Sequence, residues 1–220
     1  MAEQDQRAER ARIIEAAHRC LASTGGASVS VSDILAETGL GTRAFYRHFD
    51  SKDDLLLAMF RRDHDRVTAE LQTAIASAQG PEDALRRYVQ SRMRLVSEKR
   101  RRQRVLVLTS EEVRRARGYD AELNRAAEGA EAILALIVEQ GRDSGDFPLV
   151  NDVRADARAI AAVLQRAFDE QILRPSAQSA EEASEQVIDF ALRALGAPTR
   201  DTSASGGTGR RGAAVGDRRG

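Results

Sequence analysis

Residues 39–49 read GLGTRAFYRHF. Two glycines bracket Leu40. Three of the chain's nine phenylalanines and tyrosines then fall within five residues, beside Arg43, Arg47 and His48. Glycines at that spacing end one helix and let another leave at a new angle. The helix before them is predicted over Val31–Thr38, with Ile34 and Leu35 inward. Ser30 opens it, with Asp33 three residues on as an acidic variant of the capping box. The helix after the glycines runs over about 42–49. Phe45 and Phe49, four apart, share a face and are expected to pack with Ile34, Leu40 and Leu21. Upstream, Ile13, Ile14, Ala17 and Leu21 stripe an amphipathic helix over 7–23 that stops at Gly25-Gly26. Three short helices, the last two joined by a tight glycine turn, are the layout of a helix-turn-helix unit.

Such a unit needs small or polar residues at the start of its last helix, where base edges lie. Thr42, Arg43 and Ala44 are expected to occupy that exposed start. Arg43 is long enough for a bidentate bond to guanine, which carries about 1–3 kcal/mol of discrimination. Thr42 can bond a base edge or a phosphate, and Ala44 can offer only apolar contact. Tyr46, Arg47, His48 and Lys52 are set for the phosphate backbone, which positions without specifying. Residues 1–60 carry seven basic and nine acidic side chains, whereas 42–52 alone carries a net +2. The positive face is therefore local, and modest non-specific affinity is expected at physiological salt.

Residues 12–56, RIIEAAHRCLASTGGASVSVSDILAETGLGTRAFYRHFDSKDDLL, closely resemble the N-terminal domain of the TetR/AcrR transcriptional regulators. Ile13 to Ala17, Gly25, Ser30-Val31, Ile34, Gly39-Leu40, Phe45-Tyr46, His48-Phe49 and Ser51-Lys52 fall on that family's pattern without a gap, over about a fifth of the chain. The resemblance implies a homodimer, usually a repressor, that puts its third helix into the major groove of a palindromic operator in double-stranded DNA. It also implies a larger helical domain that binds a small-molecule effector and dimerises through its last two helices. The DNA-contact set carried over is Ser30, Thr42, Arg43, Ala44, Tyr46, Arg47, His48 and Lys52, with Tyr46 and Lys52 on phosphates and Thr42 to Ala44 facing bases. Three positions depart from the pattern. Gly41 stands at the usual serine N-cap, with Thr42 an alternative cap that would shift the helix start by one residue. Gly26 stands where an aromatic is preferred, and Val29 where threonine is common.

The remainder reads as helix throughout. A long helix starts near Lys52 and runs to about 78. Another begins at Pro81 and carries Leu85, Tyr88, Val89, Met93 and Val96. The basic run 99–104, KRRRQR, is expected to be a solvated helix end, with contact to the DNA backbone as a lesser alternative. Further helices are expected over about 120–141, 153–173 and 180–195. The predicted fold class is all-α, with about nine helices. Its divisions are a DNA-binding domain over 7–54 (the motif about 31–49), a regulatory and dimerisation domain over 55–196, and a disordered tail over 197–220. Candidate pocket residues are Phe60, His64, Tyr88, Met93, Phe147 and Phe168. Candidate dimer-seam residues are Ile160, Leu164, Phe168, Val187, Phe190 and Ala191.

Net charge is zero, so bulk charge points to no partner. The densest apolar patch, AILALIV at 132–138, falls far short of the roughly 20 residues of a membrane span. The polar N-terminus lacks the apolar core of a secretory signal. One cysteine, Cys20, leaves no internal disulfide and no cysteine metal site. A cytoplasmic protein without membrane partner, metal or cofactor is expected. No nucleophile elbow, phosphate loop or zinc-protease motif appears, so an enzyme is disfavoured. The competing reading is a regulator without a ligand, whose C-terminal domain only dimerises or binds a protein. A cavity in that domain would separate the two.

Overall fold

The computed structural model describes residues 2–174 and 178–198. Ten helices follow one another, with no strand among the described residues: α1 (Ala2–Ser23), α2 (Val31–Thr38), α3 (Thr42–His48), α4 (Lys52–Ala76), α5 (Pro81–Ser97), α6 (Lys99–Leu108), α7 (Glu111–Arg114), α8 (Tyr119–Ser144), α9 (Val153–Leu173) and α10 (Ala180–Leu195). The all-α class holds. The expected tail falls almost wholly outside the described residues.

Helix starts follow side-chain capping. Ser30 accepts from the Asp33 amide at 3.1 Å, and the Asp33 carboxylate accepts the Ser30 amide at 3.0 Å, completing the box. Ser51 caps α4 through the Asp54 amide, and Asp152 caps α9 through two amides. Ser179 and Glu182 repeat the full box at α10. Pro81 opens α5, where its missing N–H costs nothing. Gly39 ends α2 at φ 66°, a left-handed turn that other residues enter at a cost of about 1–2 kcal/mol.

Two buried clusters share α4. The first joins α1–α3 with Leu55 to Phe60 of α4 and takes in Val107, Val113, Ala116, Tyr119 and Ala126. The second joins the far part of α4 with α5, α8, α9 and α10. The first cluster thus reaches well past residue 54, because α6, α7 and the start of α8 close its open side.

The basic run differs from expectation. It is the first half of α6, and three of its arginines reach three different neighbours. Arg101 pairs with Glu70 at 2.5 Å, and Arg102 donates to the Gln171 and Ile172 carbonyls at the end of α9, both at 3.0 Å. Arg104 bridges Asp63 of α4 at 3.1 Å and Glu15 of α1 at 3.4 Å. These are internal ties, not a solvated end.

The expected dimer seam also needs correction. Ile160, Leu164, Phe168, Val187 and Ala191 are 0–7% exposed within the single chain. Their stripes face the chain's own core, so they have no surface left for a second copy. Only Phe190, 44% exposed, points outward.

Candidate nucleic-acid interface and cavity

The residues of α3 and its C-cap Phe49 divide by helical period. Ala44, Phe45 and Phe49 are buried, and Thr42, Arg43, Tyr46 and Arg47 are exposed. Phe45 and Phe49 stack at 5.6 Å between centroids, and Arg10 of α1 covers the Phe49 ring at 5.0 Å. Tyr46 stands on the outer face, 61% exposed, edge-on to Phe45 at 5.2 Å. The rings therefore hold α3 to α1 and α2 while a threonine, two arginines and a tyrosine face solvent.

Three of the expected contacts sit elsewhere. Ala44, expected at the exposed start, is 7% exposed, because it precedes Phe45 and shares the inward face at the i, i+1, i+4 positions. His48 turns back to α1. Its Nε2 meets the Glu9 carboxylate at 3.0 Å, and that bond holds the Glu9 pKa below the usual carboxylate range. Lys52 points under the domain, where its Nζ donates to the Val29 carbonyl at 3.1 Å and to the carboxylate of Glu112 in α7. Glu112 also accepts from Ser28 Oγ at 3.2 Å. Arg47 stays half exposed, 3.5 Å from Glu9. Ser30 is spent on its cap.

Gly41 is the N-cap of α3, at φ −86° and ψ 164°, with no side-chain bond to the first turn. Its own carbonyl accepts from Ala44 at 2.9 Å. The helix start is therefore not shifted to Thr42. Gly26 has a separate reason: at φ 85°, a Cβ there would lie 2.7 Å from Ser110 Cβ. An aromatic side chain has no room, because the α6–α7 turn presses against this loop.

Beyond α6 lies a cavity of about 420 Å³, within the size range of small-molecule sites. Of the candidate pocket residues, Phe60, His64, Tyr88 and Phe168 line it. Met93 and Phe147 do not. Met93 is core, and Phe147 packs its ring flat on Gly141, where any side chain would collide with it. Tyr88 donates its hydroxyl to the Ala130 carbonyl at 3.2 Å, and burial raises its pKa. His64 Nε2 lies 3.4 Å from Thr68 Oγ1, and burial followed by the Arg92 charge lowers its pKa. Arg101, Arg104, Val105 and Leu108 of α6 form part of the wall. The helix that bounds the cavity is thus the one tied to α1 by Arg104 and to the Gly26 loop by the turn that follows it.

The sequence reading missed Arg92 and Glu112. Arg92 had a signal: it falls on the stripe of Leu85, Tyr88, Val89 and Val96, where an arginine is out of place. Glu112 had none, since its partner is 60 residues away.

Among the described residues, no helix is long and apolar enough to cross a membrane, and no group of three acidic, histidine or cysteine side chains could hold a metal. Residues 13–59 match the family of bacterial regulatory proteins described as the tetR family. An HTH-type transcriptional regulator of Staphylococcus aureus (strain USA300) is 38% identical over 61 residues, 28% of this chain and 33% of that protein. The match thus spans a third of the relative's length. The transcriptional regulator FadR from Bacillus subtilis, solved in complex with stearoyl-CoA, superposes with TM-score 0.69 at 20% identity, covering 83% of this chain and 97% of its own. A SmeT–triclosan complex superposes with TM-score 0.71 at 22% identity, covering 94% and 100%. Both share the fold.

Proposed function

We propose, from the match of residues 13–59 to the tetR family of bacterial regulatory proteins, that the chain is a ligand-responsive, sequence-specific DNA-binding repressor acting as a homodimer in the cytoplasm. The proposed division is a reader over 7–54 and a regulatory body over 55–196. The observation that carries the reading is the outer face of α3. Thr42, Arg43, Tyr46 and Arg47 are presented together, while Ala44, Phe45 and Phe49 anchor the helix from behind. Arg43 and Thr42 are assigned to base edges, and Tyr46 and Arg47 to phosphates. Lys52 joins them only after leaving Glu112.

The cavity supports a ligand-responsive body over one that merely dimerises. The proposed response is a population shift, in which a ligand favours an arrangement with the two readers wrongly spaced for one operator. The proposed transmitter is α6, since it walls the cavity and its ties reach α1, α4 and the loop at Gly26. For pairing, the solvent faces of α9 and α10 remain the proposed seam, with Phe190 as its apolar member.

The test is selection of operators from a random library, followed by gel shifts with wild type and Arg43→Ala. The variant is expected to lose affinity by about 1–3 kcal/mol and to relax preference at one base pair per half-site. Unchanged preference would sink the base-reading role.

A further inference from the structure

We propose that the cavity takes a monoanionic amphiphile, a carboxylate with an aliphatic body, and that Arg92 is the residue that receives the carboxylate. The proposal deepens the ligand-responsive reading above and rests on it for its biological sense, though not for its chemistry. Arg92 sits deep on α5, and the surface it still exposes lines the cavity. Among the described residues no carboxylate, carbonyl or hydroxyl lies within bonding distance of its guanidinium. Its recorded neighbour is the Phe168 ring, 5.1 Å from the guanidinium carbon to the ring centre. The nearby Asp169 attracts it only from a distance and is itself bonded to Gln165 at 2.8 Å. Loss of solvation lowers the Arg92 pKa, yet an arginine stays charged at neutral pH.

Arg92 is half-buried, and a charge partly withdrawn from water gains from an anionic partner. The other cationic walls of this cavity show the contrast. Arg66 and Arg104 are satisfied by Asp63, and Arg101 by Glu70 and Glu98. Of the five arginines that line the cavity, Arg92 and Arg158 lack such an anion, and Arg158 is exposed whereas Arg92 is half-buried. A guanidinium lying over an aromatic ring keeps its in-plane N–H edge open, and that edge matches the two oxygens of a carboxylate. Val67, Leu95, Leu108, Leu123, Ala127 and Ala161 give the cavity an apolar stretch that suits a hydrocarbon, while His64, Thr109 and Gln165 are among its polar members. Glu131 also lines the cavity, so a dianion or a second acidic head is disfavoured there.

The experiment is calorimetric titration of the full chain with carboxylates from hexanoate to dodecanoate below their micellar concentrations. 1-Decanol and decyltrimethylammonium serve as matched neutral and cationic probes, and each is repeated on Arg92→Met. Decanoate is expected to bind wild type at least tenfold more tightly than decanol. Arg92→Met is expected to abolish that preference while leaving decanol binding unchanged and the melting temperature undiminished. Equal binding of decanoate and decanol, a parallel loss of both in the variant, or no binding by any carboxylate of the series overturns the proposal. So does a melting temperature several degrees lower in Arg92→Met, which would mark a structural partner. Gel shifts on the selected operator separate this result from the regulatory reading. Arg92-dependent decanoate binding without release of DNA leaves the acid site standing and refutes its effector role. Release by decanol as readily as by decanoate supports a ligand-responsive repressor and overturns the acid preference.

Discussion

The Nζ of Lys52 donates to the carboxylate of Glu112, joining the first turn of α4 to α7 across 60 residues of sequence. Lys52 is the cation that the family resemblance assigns to a DNA phosphate. In this structure it is held by the body instead. Binding DNA through Lys52 therefore competes with a contact between reader and body. Glu112→Gln is expected to strengthen operator binding by several fold and to blunt release by an effector. Lys52→Met is expected to weaken binding uniformly across sequences and to lower the slope of log affinity against log salt by about one. Gel shifts over a salt series check both. An unchanged slope in Lys52→Met would remove Lys52 from the phosphate contacts.

Gly41 leaves the first turn of α3 without a side-chain cap, and a Cβ there meets nothing within 4 Å. Its φ of −86° suits any residue. Gly41→Ser is therefore expected to stabilise the reader by a few tenths of a kcal/mol, up to about 1. Gly39→Ala, two residues earlier at φ 66°, is expected to cost about 1–2 kcal/mol. Urea denaturation of the two variants gives opposite shifts in midpoint if the turn is as described.

His18 is buried at the back of α1, and its Nε2 has no partner. Burial lowers its pKa, the Arg104 and Arg66 charges push the same way, and Asp63 and Glu15 oppose them. The folded chain thus disfavours the protonated ring. Above the ordinary histidine value of about 6.5 the contribution is fully present, and it is lost as pH falls from there toward the lowered folded value. His64 acts in the same direction. Stability is expected to decline below about pH 6.5, and His18→Leu is expected to flatten the decline. Thermal melts at several pH values decide, and an identical slope in wild type and variant excludes His18 as the source.

Phe190 is the one proposed seam residue that faces outward. Phe190→Arg is expected to weaken the dimer at least tenfold while leaving the melting temperature of the isolated chain within a few degrees. Sedimentation equilibrium reads the first and calorimetry the second. A variant that dimerises as wild type does moves the seam to another face.

The reader was legible because its signals are local. Ser30 and Gly39 act on neighbours within a few residues, and the four-residue spacing of Phe45 and Phe49 puts both rings on one inward face. Ala44 was misread because the helix was judged by its start rather than by its faces, and Phe45 fixes which face is inward. The partners of His48 and Lys52 were not legible, because Glu9 and Glu112 come from far segments that no spacing rule connects. The basic run was misread for the same reason: Arg101, Arg102 and Arg104 find Glu70, the end of α9, and Asp63 with Glu15 only once the chain is folded. The stripes of α9 and α10 were seen correctly as apolar. Whether such a stripe meets its own chain or a copy is decided by packing, and here α5 and α8 cover it.

The ties of α6 to its surroundings include guanidinium–carboxylate and guanidinium–carbonyl bonds beside the apolar packing of Val105, Val107 and Leu108. Apolar joints resist sliding, because each shift opens a void. Charged joints can swap partners across a small step at little net cost, since part-exposed pairs are individually worth about 0–1 kcal/mol. In the proposed response, the charged part of the joint between cavity and reader would re-seat more readily than its apolar part. Substitutions in the apolar wall can change which molecule is accepted without rebuilding the linkage. The proposed transmission is then expected to weaken with ionic strength more than the fold itself does.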